Sequence, residues 1–592
     1  MRAQSIDHLA LLPLYLAAAG AVLALFAGRA AKAATGIGLA ASAAAAVWVG
    51  LGPDRATFAV DEWHSYVADD AAMGAAALFA ALALLVAGLS GRQAGEYWFL
   101  LAASAAGGIA LAGARDLVTL IVAVETLTLP LYVLVAKPGR EGAEAGVTFL
   151  IASVTSSATA LMGAALLYAA GGTVHLGGLP AGLDGAPAGL TAAGLALLLG
   201  GLAFKLAAAP LHAWAPLVLE RAPLPVAAYL ASASKLGGAV AVIWIVHFGL
   251  TDGAAGPQRS AGIVLAVLSV ASIAVGNLAA LVQRRTVPLL AWSGVAHAGY
   301  ALAPLAVLMT AAGRTDATAA ASAAFAYAVF FVLLEAGAFT ALTAVRPGDA
   351  DAGGDDGTLR MQSGQATGAV RPGVTEVHSA SDAAPLKAGM PDAEASGTGA
   401  DVSIRTSGFA DTDYREGPSR AVVEVSAASA AERRTSRAPL ESGGPPRSDL
   451  SRTATGGGVH VPRDGGTIQV PGEGGRIAEL SGLRKSAPLP ASVLVLAVVG
   501  LAGLPPALAG TFAKVAVLEV LASSAVWLAV VVAAGAVVGL AYYLPLARTV
   551  LLGRAAATGK GRFALEVTLV GLALAAVSLA PRLVLEFTTF TQ

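Results

Sequence analysis

Residues 200–212 read Gly-Gly-Leu-Ala-Phe-Lys-Leu-Ala-Ala-Ala-Pro-Leu-His, so that Lys205 follows an uninterrupted apolar run and stands five residues before Pro210. A charged side chain inside hydrocarbon is costly, and such a group is therefore usually functional and paired. Five further ionisable groups also lie inside apolar segments: Glu125, Lys235, His297, Glu335 and Lys514. The six together indicate a route for protons or cations across a membrane.

The composition sets the class of protein. The chain has 592 residues, of which 56% are hydrophobic and only 13% are charged, and its mean hydropathy is +0.72. These values are typical of a polytopic helical membrane protein. A net charge of −1 gives no bulk field for binding nucleic acid.

Cysteine is absent from the chain. Disulfides are therefore excluded, and the missing thiolates argue against an iron–sulfur cluster or a structural zinc site. We expect no cofactor and no metal in this chain, and any redox chemistry coupled to it must take place on another subunit.

The apolar runs predict an all-α protein with about fourteen transmembrane helices, since each crossing needs about 20 residues. We interpret residues 9–26 as a retained first helix and not as a cleaved signal peptide, because the run is long and Asp7 offsets the lone Arg2. The predicted spans are 8–27, 33–52, 71–90, 97–114, 117–136, 147–170, 188–219, 223–249, 260–281, 287–310, 317–345, 489–521, 525–549 and 563–581.

The charges of the loops predict the orientation of the chain. The odd-numbered loops carry about twice as many Lys and Arg residues as the N-terminus, the even-numbered loops and the C-terminus together. Positive charge favours the cytoplasmic side. We therefore expect odd-numbered loops in the cytoplasm and both termini outside, in the inner or plasma membrane of a bacterium.

The chain divides into three parts by composition. Residues 1–345 hold spans one to eleven, and 489–592 hold spans twelve to fourteen. Residues 346–488 are rich in Gly, Ser, Asp, Arg and Pro and have almost no aromatic residues. Such a segment cannot bury enough apolar surface to fold, and we predict a disordered cytoplasmic insert there.

Two of the predicted spans are long and interrupted by proline. The seventh contains Pro210 and Pro216, and the twelfth contains Pro505 and Pro506. Proline removes an amide donor and clashes with the preceding turn, so both helices should break. Broken helices at corresponding places are typical of transporters with inverted repeats. We predict two inverted five-helix repeats, spans four to eight and nine to thirteen, with broken helices seven and twelve and one lysine in each.

The types of these ionisable residues suggest how they could act together. Desolvation favours a neutral lysine, whereas an adjacent carboxylate favours the ammonium. A Lys205 whose partner Glu125 can move would therefore hold and release a proton. The alternative is a static ion pair that only supports packing.

The other ionisable groups extend the same argument. Lys235 has no carboxylate in its own span and needs water or a neighbouring helix. His297 is a candidate relay, while His212 beside Pro210 could line the same cavity. For Glu335 we consider Lys514, His297 or a polar cavity as the partner.

Several motifs carry a family resemblance. Phe204-Lys205 with Pro210-Leu211-His212-Ala213-Trp214-Ala215-Pro216 and Ala231-Ser232-Ala233-Ser234-Lys235 resembles the antiporter-like membrane subunits of respiratory complex I, the NADH:quinone oxidoreductase. Within that family the chain is most similar to the bacterial N subunits. Supporting stretches are 125–132 (Glu-Thr-Leu-Thr-Leu-Pro-Leu-Tyr), 289–300 (Leu-Leu-Ala-Trp-Ser-Gly-Val-Ala-His-Ala-Gly-Tyr) and 501–505 (Leu-Ala-Gly-Leu-Pro).

The resemblance implies a subunit of a proton-translocating NADH:quinone oxidoreductase, an enzyme of the translocase class. It implies that Glu125 and Lys205 are the coupling pair, Lys235 and His297 the central hydrophilic axis, and Lys514 the residue on the outlet side. NAD, FMN, iron–sulfur clusters and quinone would be carried by partner subunits of the membrane and redox arms. Glu335 departs from the family pattern, which has a small or polar residue there.

Two alternatives share these features. A subunit of a multi-subunit sodium/proton antiporter would have the same helices and lysines, and its transport would depend on sodium and not on NADH. A non-transporting scaffold of the membrane arm would tolerate lysine substitutions but would fail to assemble when truncated.

Overall fold

Apolar helices form nearly all of the structure. The computed structural model describes residues 6–136, 140–345, 475–553 and 562–590, and these all belong to one unit of the chain. The first helices are α1 Leu12–Phe26, α2 Ala31–Gly50, α3 Asp70–Leu89, α4 Gly95–Gly113, α5 Leu117–Val135, α6 Arg140–Gly171, α7 Leu179–Gly182, α8 Ala188–Lys205, α9 Trp214–Arg221, α10 Leu224–Tyr229 and α11 Lys235–Leu250. The remaining helices are α12 Ala255–Leu281, α13 Thr286–Leu302, α14 Ala311–Thr315, α15 Ala317–Val345, α16 Leu483–Ser486, α17 Pro488–Ala502, α18 Leu508–Ser524, α19 Val526–Leu552, α20 Ala564–Leu579 and α21 Arg582–Thr588.

Each of the fourteen predicted spans coincides with helix. Among the described residues, ten helices are long and apolar enough to cross a membrane, or eleven if the bent pair α20 and α21 is one span. The helices α1 and α17 are shorter but also apolar. The prediction of an all-α polytopic membrane protein is confirmed.

Both predicted helix breaks are present. Helix α8 ends at Lys205 and α9 begins at Trp214, while α17 ends at Ala502 and α18 begins at Leu508. Each break contains a residue with left-handed backbone, Ala207 at φ +62° and Gly503 at φ +80°. Lys205 is thus the last residue before the first break, whereas Lys514 lies inside the helix that follows the second break.

Equivalent serines support the two breaks. The Ala209 amide donates to Ser272 Oγ of α12 (2.8 Å), and the Ala509 amide donates to Ser578 Oγ of α20 (3.4 Å). In each case the serine belongs to the span two places after the broken helix. This correspondence agrees with the predicted repeats of spans four to eight and nine to thirteen.

A β-hairpin interrupts the helices between α2 and α3, where the sequence predicts only an acidic loop. Strands β1 (Arg55–Val60) and β2 (Trp63–Ala68) are antiparallel, with Arg55 opposite Ala68. The Arg115 amide donates to the Ser65 carbonyl (2.9 Å), and its guanidinium pairs with Asp69 (2.6 Å). The hairpin is therefore tied to the start of α5.

The end of the predicted insert contains local structure. Residues 475–488 include a 3₁₀ turn at Ile477–Leu480 and α16. The Ile477 amide donates to the Arg284 carbonyl (3.1 Å), and the Thr286 amide donates to the Gly475 carbonyl (3.1 Å). Residues 346–474 lie outside the described part of the chain, so the disorder predicted for them stays a prediction.

Candidate functional site

The first ion pair of the site joins α5 to the end of α8. Lys205 Nζ lies 3.0 Å from Glu125 Oε1. The ammonium also donates to Thr128 Oγ1 (3.1 Å) and Ser153 Oγ (2.6 Å). An ammonium has three donors, and all three are used here. Lys205 is buried, whereas about a quarter of the Glu125 side chain is exposed.

Four hydroxyl groups around this pair were not predicted from the sequence as part of the site: those of Thr128, Tyr132, Ser153 and Ser157. Ser157 donates to Glu125 Oε1, Tyr132 donates to Ser153 Oγ (2.6 Å), and Thr128 lies one turn beyond Glu125 on α5. The signal for the serines was the stretch Ser153-Val-Thr-Ser-Ser157 in an otherwise apolar span. These hydroxyls give the carboxylate and the ammonium other partners when the two separate.

The second ion pair lies in the centre of the unit. Lys235 Nζ is 2.9 Å from Glu335 Oε2, and the two side chains are 0% and 1% exposed. Within the described part of the chain, Glu335 Oε1 has no hydrogen-bond partner. Lys235 is therefore paired with a carboxylate from a neighbouring helix, since its own span contains none. The partners considered for Glu335 from the sequence, Lys514 and His297, are wrong.

Local backbone structure brings this pair together. Lys235 begins α11 directly after a π-helical turn at Leu230–Ser234, and such turns are frequent at functional sites. Gly294 of α13 lies against the pair. A Cβ at Gly294 would overlap the Lys235 ammonium and lie 2.8 Å from Glu335 Oε1. A larger residue at this position would force the Lys235 ammonium to shift.

The two ion pairs lie close together. A Cβ at Gly238 would come within 2.6 Å of the Leu206 amide nitrogen and 2.8 Å of the Lys205 carbonyl carbon. The backbones of α11 and α8 therefore touch at Gly238, one helical turn after Lys235. About 5 Å along a helix axis is one turn, so the two lysines belong to the same buried region.

His297 of α13 is held by two tyrosines. Its Nδ1 is 2.8 Å from Tyr327 Oη, and its Nε2 is 3.1 Å from Tyr543 Oη. The ring of Phe331 stacks on the imidazole with centroids 4.9 Å apart and planes at 3°. Lys235 Nζ lies 5.1 Å from the centroid of the same phenyl ring. Phe331 therefore contacts both the ammonium of the central ion pair and the histidine.

Lys514 is the last of the six ionisable residues that we call the row: Glu125, Lys205, Lys235, Glu335, His297 and Lys514. Its Nζ donates to the carbonyls of Leu501 (2.9 Å) and Ala502 (2.8 Å), which end α17. No carboxylate among the described residues forms an ion pair with it. The negative end of a helix favours a cation, and here it takes the place of an acid. His297 and Lys514 line one cavity of about 10 Å³, about the room that one water molecule needs.

His212 lies apart from the row. Its ring packs against Trp292 with centroids 5.2 Å apart, and its Nδ1 has no hydrogen-bond partner in the described residues. None of the contacts described for His212 joins it to Lys205, Lys235 or His297. The structure therefore brings six of the seven predicted residues into one buried row and leaves His212 outside it.

Comparisons with known proteins identify the family of the chain. The family described as NADH:quinone oxidoreductase/Mrp antiporter, TM matches residues 114–351 and 469–539, which include all six residues of the row. NADH-quinone oxidoreductase subunit N of Salinispora tropica is 49% identical over 384 residues, 61% of this chain and 72% of that protein. NADH-quinone oxidoreductase subunit N 2 of Streptomyces griseus is 36% identical over 374 residues, 58% of this chain and 67% of that protein.

Solved structures share the fold. A chain of respiratory complex I from Thermus thermophilus aligns with a TM-score of 0.66 at 24% identity, covering 98% of both chains. A chain of the Mrp complex from Dietzia aligns with a TM-score of 0.63 at 18% identity, covering 98% of this chain and 96% of that one. The family match includes residues of both membrane parts, and the chain covers 72% of the S. tropica relative, so the resemblance found in the motifs is confirmed: the chain belongs to the NADH:quinone oxidoreductase/Mrp antiporter transmembrane family.

Proposed function

We propose that the chain is the N-type membrane subunit of a bacterial NADH:quinone oxidoreductase and that it moves protons along the buried row from Glu125 to Lys514. The observation that carries the proposal is that two ion pairs follow one another along the row: Lys205 with Glu125 and Lys235 with Glu335. A charge buried in a membrane protein is costly and is therefore usually functional. Lys235 and Glu335 are almost completely removed from solvent. Two such pairs beside a histidine and a third lysine supply sites for successive proton transfers.

The first pair is the proposed switch. When a conformational change arriving from a redox subunit moves Glu125 away, the desolvated Lys205 loses its proton more readily. The carboxylate remains bound to Ser157. Moving one charge against about 100 mV costs about 2.3 kcal/mol, and a change of one pKa unit is worth about 1.4 kcal/mol. A switch of about two units therefore matches the load.

The central pair passes the proton on. Lys235 gives its proton towards His297 when Glu335 withdraws, and it is then reprotonated from Lys205. His297 and its two tyrosines hand the proton to Lys514 across their shared cavity. Phe331 contacts both Lys235 and His297, and in this proposal its ring is the barrier that prevents back-flow while the pair is closed.

Phe331→Ala is expected to make the membrane leak protons, because the variant leaves open the space now filled by a ring that contacts both Lys235 and His297. Vesicles that contain the complex with this variant should lose an imposed pH gradient several times faster than wild type without any NADH. Phe339→Ala is the matched control, since Phe339 is also buried on α15 and does not line the cavity shared by His297 and Lys514. Equal leak rates in the two variants would remove Phe331 from the barrier.

Gly294→Ala is expected to abolish most pumping, because the new methyl group displaces the Lys235 ammonium from Glu335. Proton uptake driven by NADH is the measurement, with the amount of assembled complex measured in parallel. Gly200→Ala is the control, since a Cβ there meets no atom within 4 Å. Normal pumping by Gly294→Ala would show that direct contact between Lys235 and Glu335 is not required for pumping.

The orientation belongs to the same proposal, with odd-numbered loops in the cytoplasm and both termini outside. The contacts of Arg284 and Thr286 with residues 475–477 support placing the ninth loop and the predicted insert on one side. On this proposal the chain carries no redox centre, and NAD, FMN, iron–sulfur clusters and quinone reside on partner subunits.

One experiment tests the assignment against its alternatives. The full chain is purified from its native membrane with an affinity tag, and the copurifying subunits are tested for flavin and iron–sulfur clusters. Their presence, with proton uptake that needs NADH and not sodium, is expected. Sodium-dependent exchange without any flavin subunit would instead identify the Mrp-type antiporter, and normal pumping after loss of the lysines would identify a scaffold.

A further inference from the structure

An apolar groove lies among four of the helices. Helices α2, α3, α15 and α20 form its walls, and its volume is about 450 Å³. Leucine and alanine supply nearly all of its lining, among them Leu78, Leu82, Leu85, Leu333 and Leu569. Two ionisable residues complete it, Lys32 and Glu566.

The groove runs from a membrane face to the middle of the bilayer. Helix α2 begins, α3 ends and α20 begins at the end that holds Lys32, Gly88 and Glu566. From Leu78 to Gly88 the helix α3 rises about 15 Å at 1.5 Å per residue. This is half of the roughly 30 Å hydrocarbon core, so the groove has the depth of one leaflet.

The two charged groups at the mouth are separate from each other. Lys32 Nζ donates to the carbonyls of Ser90 (2.8 Å) and Gly88 (3.5 Å), which leaves one of its three donors for another acceptor. A Cβ at Gly88 would lie 2.9 Å from Glu566 Oε1, so the carboxylate lies beside the same residue. Within the described ranges, Glu566 has no hydrogen-bond or ion-pair partner.

We propose that this groove binds one phospholipid whose headgroup carries both a phosphate and a primary ammonium, as in phosphatidylethanolamine. The phosphate accepts from Lys32, the ammonium donates to Glu566, and one acyl chain fills the groove. A phosphatidylglycerol headgroup has no ammonium for Glu566. A phosphatidylcholine headgroup has no N–H donor. The acyl chain packs against Leu333 and Ala336 of α15, the helix that carries Glu335.

The test is native mass spectrometry of the full chain, released from micelles that contain equal amounts of phosphatidylethanolamine, phosphatidylglycerol and phosphatidylcholine. Wild type should retain phosphatidylethanolamine about tenfold over the other two lipids, the worth of one charge-assisted hydrogen bond. Glu566→Gln should lower the preference over phosphatidylglycerol, and Lys32→Gln should weaken retention of all three lipids.

A blocking variant locates the lipid. Ala573 lines the groove with an exposed side chain, so Ala573→Trp should fill the groove and empty it of lipid. Leu572→Trp is the matched control, because Leu572 is the preceding residue on α20, is 62% exposed and is not part of the lining. Equal retention of the three headgroups by wild type, or unchanged retention in Ala573→Trp, would overturn the proposal. Wild type that retains no lipid would overturn the proposal as well.

Discussion

Lys205→Arg is expected to lower the rate of proton pumping about tenfold or more, although the variant keeps the positive charge beside Glu125. Arginine does not release its proton in proteins. The Glu125 pair can therefore persist in this variant while the switch cannot work. Lys205→Ala and Glu125→Gln should fail to a similar degree, because the first removes the amine that carries the proton and the second removes the carboxylate that stabilises its charged form.

The measurement is NADH-driven acidification of inverted membrane vesicles, with NADH oxidation followed in the same samples. Lys485→Ala is the matched control, since Lys485 is an exposed lysine in α16. A static ion pair makes a different prediction, namely that Lys205→Arg pumps normally while Lys205→Ala fails to assemble. That result would remove Lys205 from the proton path and leave it a packing role.

The sequence was sufficient for the membrane fold because hydrophobicity and proline act locally. A run of about 20 apolar residues predicts a span by itself, and proline favours a helix break, as at Pro210 and Pro505, although Pro130 and Pro545 remain inside α5 and α19. Even the candidate residues followed from this logic, because a lysine in hydrocarbon is conspicuous. Strands β1 and β2 were missed since acidic residues flank them on both sides and connect them, and the hydrogen bond from the Arg115 amide to Ser65 joins residues far apart in the sequence.

The interaction partners of the site residues were harder to predict from the sequence than the site residues themselves. Lys235 and Glu335 are 100 residues apart in the sequence, so only the packing of α11 against α15 pairs them. His212 shows the reverse case, because its closeness to Lys205 in the sequence does not bring it into the row. Phe331 carried no signal at all, since an aromatic residue on an apolar helix is ordinarily a packing residue, and its role depends on the two groups that it contacts.

Lys235→Met alone and Glu335→Leu alone are each expected to destabilise the protein by about 3–5 kcal/mol, since each leaves an unpaired charge in the interior. The double variant Lys235→Met with Glu335→Leu should recover most of this loss, because apolar side chains of similar volume can replace a buried ion pair at little cost. Thermal unfolding of the purified full chain measures the effect. Glu144→Gln is the control, since it breaks the exposed pair with Arg221 (2.9 Å) and should cost about 1 kcal/mol or less.

The double variant separates stability from transport. If the central pair only holds α11 against α15, a protein that regains its stability should also regain its pumping. If Lys235 is a station on the proton path, the restored protein remains inactive, because methionine and leucine cannot carry a proton between Lys205 and His297. Recovery of both properties in the double variant would contradict the proposed path at its centre, while recovery of stability alone supports it.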